Sequence, residues 1–327
     1  RARPRFAGWR LHPNSGDTMT PNEYLKAVLG QQTFADTDEE LIDLLQRRAD
    51  IEKVLRKYFA AASPSIRWAG SMAKRTMIRE SYDGDVACYF ARDDEAAGCT
   101  LEEIYNNAVE ALSGEYQVER KPSAIRVRDA KNADLHVDVV AGRFTDESEG
   151  DVFLHRTTGE KERLKTNLQV HVDHIKDSCV VDAIRLMKLW KVRNGLEDAK
   201  TFVLELLVVK LLESRKGSSL ATQLKHVWQE FRDRPDSLAV EDPANSNNDL
   251  KPALDRVRGR LATVAADTLW QLANRGSEIE GWIAVFGKLD DDGGDTSNGS
   301  SPTSRVTALR AATVRVTTPT KPWCSSA

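Results

Sequence analysis

The spacing of apolar residues changes twice along the chain, and this change constrains the fold most strongly. Over residues 38–59 apolar side chains recur every three or four positions, which predicts one long amphipathic helix that ends at Ser63-Pro64. Short apolar runs over residues 66–140 then predict strands, with one helix at 101–112. After residue 166 the spacing is helical again. The sequence therefore predicts an α+β fold with two lobes: a mixed β-sheet lobe with the long N-terminal helix, and a C-terminal helical lobe.

The composition of the two ends predicts where the folded part lies. Residues 1–20 mix Arg, Pro, Gly and Asn without a period, which predicts a flexible arm. Residues 289–327 are rich in Ser, Thr, Gly and Pro and have few large apolar side chains, which predicts a disordered tail. Between them we expect a catalytic sheet lobe over 21–165 and a helical lobe over 166–288.

Charge and cysteine usage exclude several classes of protein. The chain has 47 Lys+Arg against 50 Asp+Glu, a net charge of -3, which argues against constitutive nucleic-acid binding and against a polybasic membrane binder. The four cysteines show no C-x-x-C spacing, and no apolar run is long enough to cross a membrane. We therefore expect a cytoplasmic protein with neither a membrane nor a constitutive nucleic-acid partner.

Three aspartates carry the chemistry that the sequence suggests. Asp83 and Asp85 are two residues apart in a predicted strand, so both side chains are expected on one face. Asp138 lies on a second predicted strand and shares a face with His136 and Val140. If the strands are neighbours, the carboxylates form a site for two Mg²⁺ ions, with Mn²⁺ as a substitute. A solvated Asp-Gly-Asp turn with an unrelated Asp138 is the alternative that the spacing alone leaves open.

A Gly-Ser pair precedes the aspartates and adds a phosphate-binding element. Gly70 allows the backbone to approach a phosphate closely, and the hydroxyl of Ser71 can donate to a phosphate oxygen. Two metal ions beside such a loop suit an in-line phosphoryl displacement, because they bind both the attacking hydroxyl and the leaving oxygen. Asp138, as the third ligand, is also placed to help deprotonate that hydroxyl.

These residues together resemble the signature of the DNA polymerase β-like nucleotidyltransferases, which is Gly-Ser, Asp-x-Asp on a strand and a later strand Asp. The chain is most similar to their oligoadenylate synthetase and cyclic GMP-AMP synthase branch. That branch includes the bacterial cyclic-oligonucleotide synthases (CD-NTases) of anti-phage signalling. The resemblance covers residues 37–288. Thr76 stands where the family has Gly-Thr, although Arg75 replaces the glycine.

Two helical segments extend the resemblance to the nucleotide. Residues 180–191 resemble the family helix whose lysine binds donor phosphates, which maps Lys188 onto that lysine. Residues 201–207 resemble a Ser-Tyr-x-Leu-Glu-x-Leu segment, and this maps Thr201 onto the hydroxyl that touches triphosphate and Phe202 onto the ring that stacks on the base. Judged without the family, Lys188 reads as a solvated lysine and Phe202 as a core residue.

Two further segments support the messenger-making branch. Residues 242–248 resemble Asp-Pro-Ala-Asp-Pro-x-x-Asn, with Asn245 and Ser246 departing from it, and residues 281–287 resemble the closing Trp-x-x-x-Phe-Gly of bacterial members. The strand of Asp138 departs as well, since Ala141 and Gly142 stand where a proline often follows. Neither departure removes a carboxylate.

The resemblance implies an enzyme that joins nucleoside triphosphates, with ATP expected and GTP or pyrimidine nucleotides as further candidates. Its product would be a cyclic di- or trinucleotide second messenger, and a regulatory protein or a downstream effector would be its partner. Two alternatives stay open. One is a tRNA-end or protein-modifying nucleotidyltransferase of toxin type, and the other is a catalytically silent relative that binds nucleic acid.

Overall fold

The computed structural model describes residues 19–129, 132–159 and 161–290. Nearly all of the predicted arm and of the predicted tail lies outside these residues. The strands, in chain order, are β1 (Ser65–Trp68), β2 (Gly84–Phe90), β3 (Gln117–Arg120), β4 (Ile125–Asp129), β5 (Asn132–Phe144), β6 (Val152–His155) and β7 (Arg163–Thr166). The helices are α1 (Pro21–Gln31), α2 (Glu39–Tyr58), α3 (Gly70–Lys74), α4 (Leu101–Ser113), α5 (Leu168–Lys176), α6 (Val181–Arg193), α7 (Thr201–Leu211), α8 (Leu220–Asp233), α9 (Lys251–Asp255), α10 (Arg258–Ala273) and α11 (Glu278–Phe286).

The strands form one mixed sheet in the order β1-β2-β5-β4-β3, and β6 pairs with the far end of β5 and with β7. Strand β2 runs parallel to β5, whereas β1, β4 and β6 pair antiparallel with their neighbours. The mixed sheet and the helical C-terminal half confirm the predicted α+β class. The pairing of β2 with β5 also meets the condition that the sequence left open, since it makes the two aspartate-bearing strands neighbours.

Alternation along β2 separates the core from the site. Val86, Cys88 and Phe90 point into a core formed with α2 and α4, which cover one face of the sheet. Ala87 and Tyr89 therefore point to the opposite face, where a smaller apolar cluster lies. Asp85 shares this second face.

The helical half has its own core, centred on aromatic side chains. Trp190, Trp228 and Trp282 are fully buried, and the rings of Trp228 and Trp282 lie 5.8 Å apart. Helix α1 packs into this core as well, through Tyr24 and Leu25 among others. The prediction that residues from 21 onward belong to the sheet lobe is therefore wrong for α1. Its apolar face fits the helical core, although the chain reaches it before entering the sheet.

Several elements differ from the sequence prediction. The helix predicted over 250–271 is interrupted, so that α9 ends at Asp255 and α10 starts at Arg258. Helix α1 and the strands β3, β6 and β7 were not predicted; the three strands have only four residues each, which is too short for a clear periodic signal. Among the described residues, no helix is both long and apolar enough to cross a membrane.

Candidate active site

The sheet brings two of the three aspartates directly opposite each other. Asp85 on β2 and Asp138 on β5 are register partners in the parallel ladder. Asp83 comes just before the first residue of β2, so the prediction that both members of the Asp-x-Asp pair lie in the strand is wrong. Asp83 nevertheless stays nearby, with its Oδ2 at 3.7 Å from Nε2 of His136 on β5. The three side chains therefore gather where β2 begins; we call them the carboxylate cluster.

Crowding and burial set the charges of this cluster. Burial and the repulsion of Asp83 and Asp138 raise the pKa of Asp85 to about 7. Burial also acts to raise the pKa of Asp83, but the adjacent His136 and the nearby cations Lys188 and Arg126 outweigh it and lower the pKa below its usual value. Near neutral pH Asp83 is thus ionised, while Asp85 is still partly protonated.

Asp138 is oriented by an arginine that faces it across the sheet. Nε of Arg126 donates to Oδ1 of Asp138 at 2.8 Å, and Nη2 donates to Oδ2 at 2.8 Å. Arg126 on β4 is the register partner of Asp138, so this bidentate pair follows from strand pairing. Each carboxylate oxygen has a second lone pair, which leaves Asp138 able to coordinate a cation while Arg126 holds it.

Gly70 and Ser71 lie against the carboxylate cluster at the start of α3. Gly70 has φ +53, and a Cβ added to it would lie 1.6 Å from Oδ2 of Asp85. Only glycine fits this contact. The hydroxyl of Ser71 is buried and has no hydrogen-bond partner among the described residues. A buried hydroxyl without a partner beside a glycine cradle fits an oxygen-rich ligand such as phosphate.

The donor groups of the cluster suit Mg²⁺. Within the described parts of the chain, no three His, Cys, Asp or Glu side chains converge closely enough to hold a metal ion by themselves. Mg²⁺ does not require this, because it commonly binds one or two carboxylates and takes its other ligands from water and substrate phosphates. The paired carboxylates of Asp85 and Asp138 and the repulsion they carry fit such a cation. The predicted site for two ions stays a prediction.

A buried polar network joins the Gly-Ser segment to the helical half. Lys74, in the last turn of α3, forms an ion pair with Glu205 of α7, and both side chains are almost fully buried. Oγ1 of Thr76 donates to Oε1 of Glu205 at 2.8 Å. Nζ of Lys188 on α6 donates to the carbonyl oxygen of Thr76 at 2.7 Å, and burial lowers the pKa of Lys188 to about 8. Lys188, the lysine predicted to bind phosphate, thus already makes one hydrogen bond within the protein.

Thr201 and Phe202, at the start of α7, lie beside this network and are only half-buried. Nζ of Lys191 donates to Oγ1 of Thr201 at 2.9 Å. The ring of Phe202 lies 4.9 Å from that of His171 and 5.8 Å from Nζ of Lys74. A half-open ring at this junction is compatible with the predicted base contact.

The 242–248 segment contacts His171, the residue whose ring lies against Phe202. Nε2 of His171 is 2.7 Å from Oδ1 of Asp242, and Nδ2 of Asn248 donates to Oδ2 of the same carboxylate at 2.7 Å. Sequence reasoning gave no role to His171, Lys74 or Glu205. Their partners are distant in the chain, so no local pattern indicates these contacts. The only sequence signal for Lys74 and Glu205 was that they stand near or within the Gly-Ser and Leu-Glu segments.

The chain resembles known proteins in its fold and not in its sequence. No family model matches the chain, and no curated protein matches its sequence. Solved structures do. The Vibrio cholerae cyclic AMP-GMP synthase DncV, solved with a linear intermediate, matches with a TM-score of 0.63 at 15% identity, covering 81% of this chain and 94% of that one. The chain has the CD-NTase fold.

Two more solved structures support that statement. The CD-NTase CdnG of Bradyrhizobium diazoefficiens, in complex with GTP, matches with a TM-score of 0.62 at 14% identity over 89% of this chain and 98% of that one. Escherichia coli CdnC, in complex with a HORMA protein, gives 0.58 at 18% identity over 81% and 96%. The predicted resemblance to CD-NTases is confirmed at the level of the fold.

Proposed function

We propose that this chain is a Mg²⁺-dependent nucleotidyltransferase that joins nucleoside triphosphates into a cyclic di- or trinucleotide second messenger of bacterial anti-phage defence. One observation carries the proposal: Asp85 and Asp138 face each other in register, with Gly70 packed on Asp85, within the CD-NTase fold. The solved relatives supply the substrate class, since DncV was solved with a linear dinucleotide intermediate and CdnG with GTP.

In the proposed reaction an acceptor hydroxyl oxygen attacks the α-phosphorus of a donor triphosphate. The new oxygen–phosphorus bond forms as the bond to the β-phosphate breaks, and pyrophosphate leaves with the electron pair. Asp138, fixed by Arg126, accepts the hydroxyl proton. A second reaction of the same kind closes the ring.

The remaining predicted residues bind the donor. Gly70 and Ser71 lie against its phosphates, Lys188 and Thr201 donate to the triphosphate, and Phe202 stacks on the base. Asp83, Asp85 and Asp138 would hold Mg²⁺, or Mn²⁺ in its place, and the cation supplies neutralisation of the phosphate charge during transfer. The protein contributes positioning, which is the larger part of catalysis in phosphoryl transfer.

Product analysis tests this function. The purified chain is incubated with all four nucleoside triphosphates and Mg²⁺, treated with phosphatase and examined by mass spectrometry, with an EDTA-treated sample as the control. We expect a phosphatase-resistant cyclic nucleotide that EDTA abolishes. Transfer of a single nucleotide to added tRNA or protein, without a free cyclic product, would instead support the toxin-type alternative.

A regulatory partner is part of the proposal. CdnC was solved in complex with a HORMA protein, so a protein activator is compatible with this fold. If the isolated chain binds nucleotide without forming product, the same product analysis is repeated with extract from the source cells. Product that appears only with the extract would indicate an activator.

A further inference from the structure

His136 places a nitrogen atom beside the carboxylate cluster. It lies two residues before Asp138 on β5, so both side chains are on the same face of the sheet. The register of β2 and β5 begins with Gly84 opposite Val137, and Asp83 and the histidine come directly before this pair. The imidazole therefore stands opposite Asp83 and on the same face as Asp138.

The Nε2 atom of His136 is buried and has no hydrogen-bond partner among the described residues. Oδ2 of Asp83 lies 3.7 Å from it, which is too long for a hydrogen bond. Two neighbouring ligands of an octahedral cation at about 2.1 Å are about 3 Å apart, so a shift of less than about 1 Å would let one ion bind both atoms. The pair therefore fits a cation between nitrogen and oxygen.

The residues opposite Asp138 and His136 on β4 differ in where they are directed. Arg126 donates to both oxygen atoms of Asp138. Arg128 is the register partner of His136, but its Nη1 donates to Oε2 of Glu119 on β3 at 2.9 Å. The guanidinium of Arg128 is thus held toward β3, and Nε2 of the imidazole is left for a ligand.

The hydroxyl of Ser71 is an independent sign of a ligand at the same place. Ser71 is 8% exposed, and its hydroxyl also lacks a partner among the described residues. It follows Gly70, which packs against Asp85. Two buried polar atoms without partners, one from α3 and one from β5, therefore border the carboxylate cluster. Such atoms are rare in folded proteins and point to an ion or ligand.

An imidazole changes which cation is preferred. Mg²⁺ is a hard cation that takes oxygen ligands, whereas imidazole nitrogen is a ligand of first-row transition-metal ions. Coordination through Nε2 requires a neutral ring with its hydrogen on Nδ1. The facing carboxylates of Asp85 and Asp138 offer only oxygen atoms and do not discriminate in this way.

We propose that Nε2 of His136 and Oδ2 of Asp83 together coordinate one divalent cation, and that the nitrogen makes Mn²⁺ preferred over Mg²⁺ at this position. Water and substrate phosphate oxygens complete the coordination. The inference rests on the proposed function for what the ion does, and it adds a histidine ligand and a cation preference to the same active site.

Electron paramagnetic resonance of the full chain with Mn²⁺ alone tests the ligand without depending on turnover. Electron spin echo envelope modulation detects an imidazole nitrogen bound to Mn²⁺, and the signal of free Mn²⁺ gives the affinity. The measurement is made at about pH 8, where an ordinary imidazole is neutral. We expect imidazole coupling in the wild-type chain.

His136→Asn keeps a polar side chain that is too short to reach the position of Nε2. We expect it to abolish the imidazole coupling and to weaken Mn²⁺ binding about tenfold or more, since even a partner behind a metal ligand is worth that much. Mg²⁺ affinity, measured by calorimetry, should stay within about threefold of wild type, because Mg²⁺ relies on the oxygen ligands.

Two further variants act as controls. His174→Asn removes an exposed histidine of α5 and should leave both the coupling and the affinity unchanged. His136→Gln places an amide group where Nε2 lies, so it should recover part of the Mn²⁺ affinity without imidazole coupling. If His136→Asn lowers the melting temperature of the metal-free chain, the coupling in His136→Gln decides.

The inference is overturned if the imidazole coupling persists in the His136 variants, or if the wild-type chain shows none. A loss of Mg²⁺ affinity in His136→Asn as large as the loss of Mn²⁺ affinity would contradict the preference for Mn²⁺.

Failure of the proposed function gives a different result. A wild-type chain that shows the coupling but forms no nucleotide product contradicts the proposed function and leaves the ligand assignment intact. Product formation without any nitrogen coupling contradicts only the ligand assignment.

Discussion

The carboxylate cluster and the three lysines near it, Lys74, Lys188 and Lys191, lie at the same junction but are built in different ways. The carboxylates are carried by neighbouring strands, and backbone pairing alone places Asp85 opposite Asp138. The lysines are carried by helices, and each reaches its partner through side chains; Lys74 and Glu205 are 131 residues apart. The strands leave like charges crowded together, whereas Lys74 pairs with a buried carboxylate and Lys188 and Lys191 donate to neutral oxygens. The crowded carboxylates therefore require a cation, whereas each lysine already has a hydrogen-bond partner within the protein.

The largest expected effect concerns the carboxylate cluster. Replacing Asp85 by Asn keeps the shape of the side chain but removes a negative charge on which a divalent cation depends. We expect nucleotide incorporation to fall about a thousandfold, equivalent to several kcal/mol of transition-state stabilisation. Incorporation of labelled nucleoside triphosphate measures it.

Asp146→Asn, in an exposed turn, is the matched control and should retain full incorporation. The melting temperature of Asp85→Asn should not fall, because the substitution relieves repulsion from Asp83 and Asp138. An Asp85→Asn variant as active as the wild type would refute the metal-binding role of this cluster.

The second prediction concerns the buried ion pair between Lys74 and Glu205. Glu205→Gln removes the charge that pairs with Lys74 while it leaves the amide buried beside Thr76. Breaking a buried pair in this way should lower the free energy of unfolding by about 3–5 kcal/mol. Urea denaturation measures the change.

The exposed pair between Lys225 and Glu278 provides the control, since Glu278→Gln should cost less than about 1 kcal/mol. The double variant Lys74→Met with Glu205→Leu should recover part of the loss, because no unpaired charge remains. Equal stability of Glu205→Gln and wild type would mean that the ion pair does not tie α3 to α7.

The third prediction concerns the contact of Gly70 with the carboxylate cluster. In Gly70→Ala the added methyl group would overlap Oδ2 of Asp85, and the positive φ is unfavourable for alanine. We expect a loss of about 1–3 kcal/mol in the free energy of unfolding and a further loss of activity from the displaced carboxylate.

Gly30→Ala is the matched control, since nothing lies within 4 Å of the added Cβ. Alanine is favoured over glycine inside a helix, so Gly30→Ala should stabilise the chain by about 0.5–1 kcal/mol. If Gly70→Ala behaves like Gly30→Ala in both measurements, Asp85 does not need the close approach of the glycine.

The smallest effect is the dependence of stability on pH. The pKa of Asp85 is raised to about 7, so between about pH 4 and pH 7 the folded chain holds a proton that the unfolded chain has lost. The free energy of unfolding of the metal-free protein should therefore decrease over this interval and level off above pH 7. The lowered pKa of Asp83 acts in the opposite direction, but only at lower pH.

Mg²⁺ competes with this proton, and the rise in melting temperature that it causes should be larger at pH 8 than at pH 6. Thermal denaturation with and without Mg²⁺ measures the difference. In Asp85→Asn the decrease in the free energy of unfolding between pH 4 and pH 7 should be absent. A Mg²⁺ effect equal at both pH values would argue against Asp85 as a ligand.

The carboxylates and the lysines also differed in how well the sequence predicted them. The period of two along a strand predicted Asp83 and Asp85 on one face, and the apolar neighbours of Asp138 predicted that it lies on a second strand. Asp83 was placed inside the strand although the strand starts at Gly84, because strand ends carry weak signals. Lys188 stays a predicted phosphate contact, but its hydrogen bond to the Thr76 carbonyl oxygen is one that no local pattern could indicate.

The sequence by itself determined the α+β class and the helical second half and predicted the candidate carboxylates, because these depend on local periodicity and on residue chemistry. Only the tertiary structure decided that β2 and β5 are neighbours, that α1 packs with the helical core, and that Lys74 forms a buried ion pair with Glu205. The physical reason is range. Hydrophobic periods act over a few residues, whereas register, buried ion pairs and desolvation depend on groups that meet only after the chain has folded.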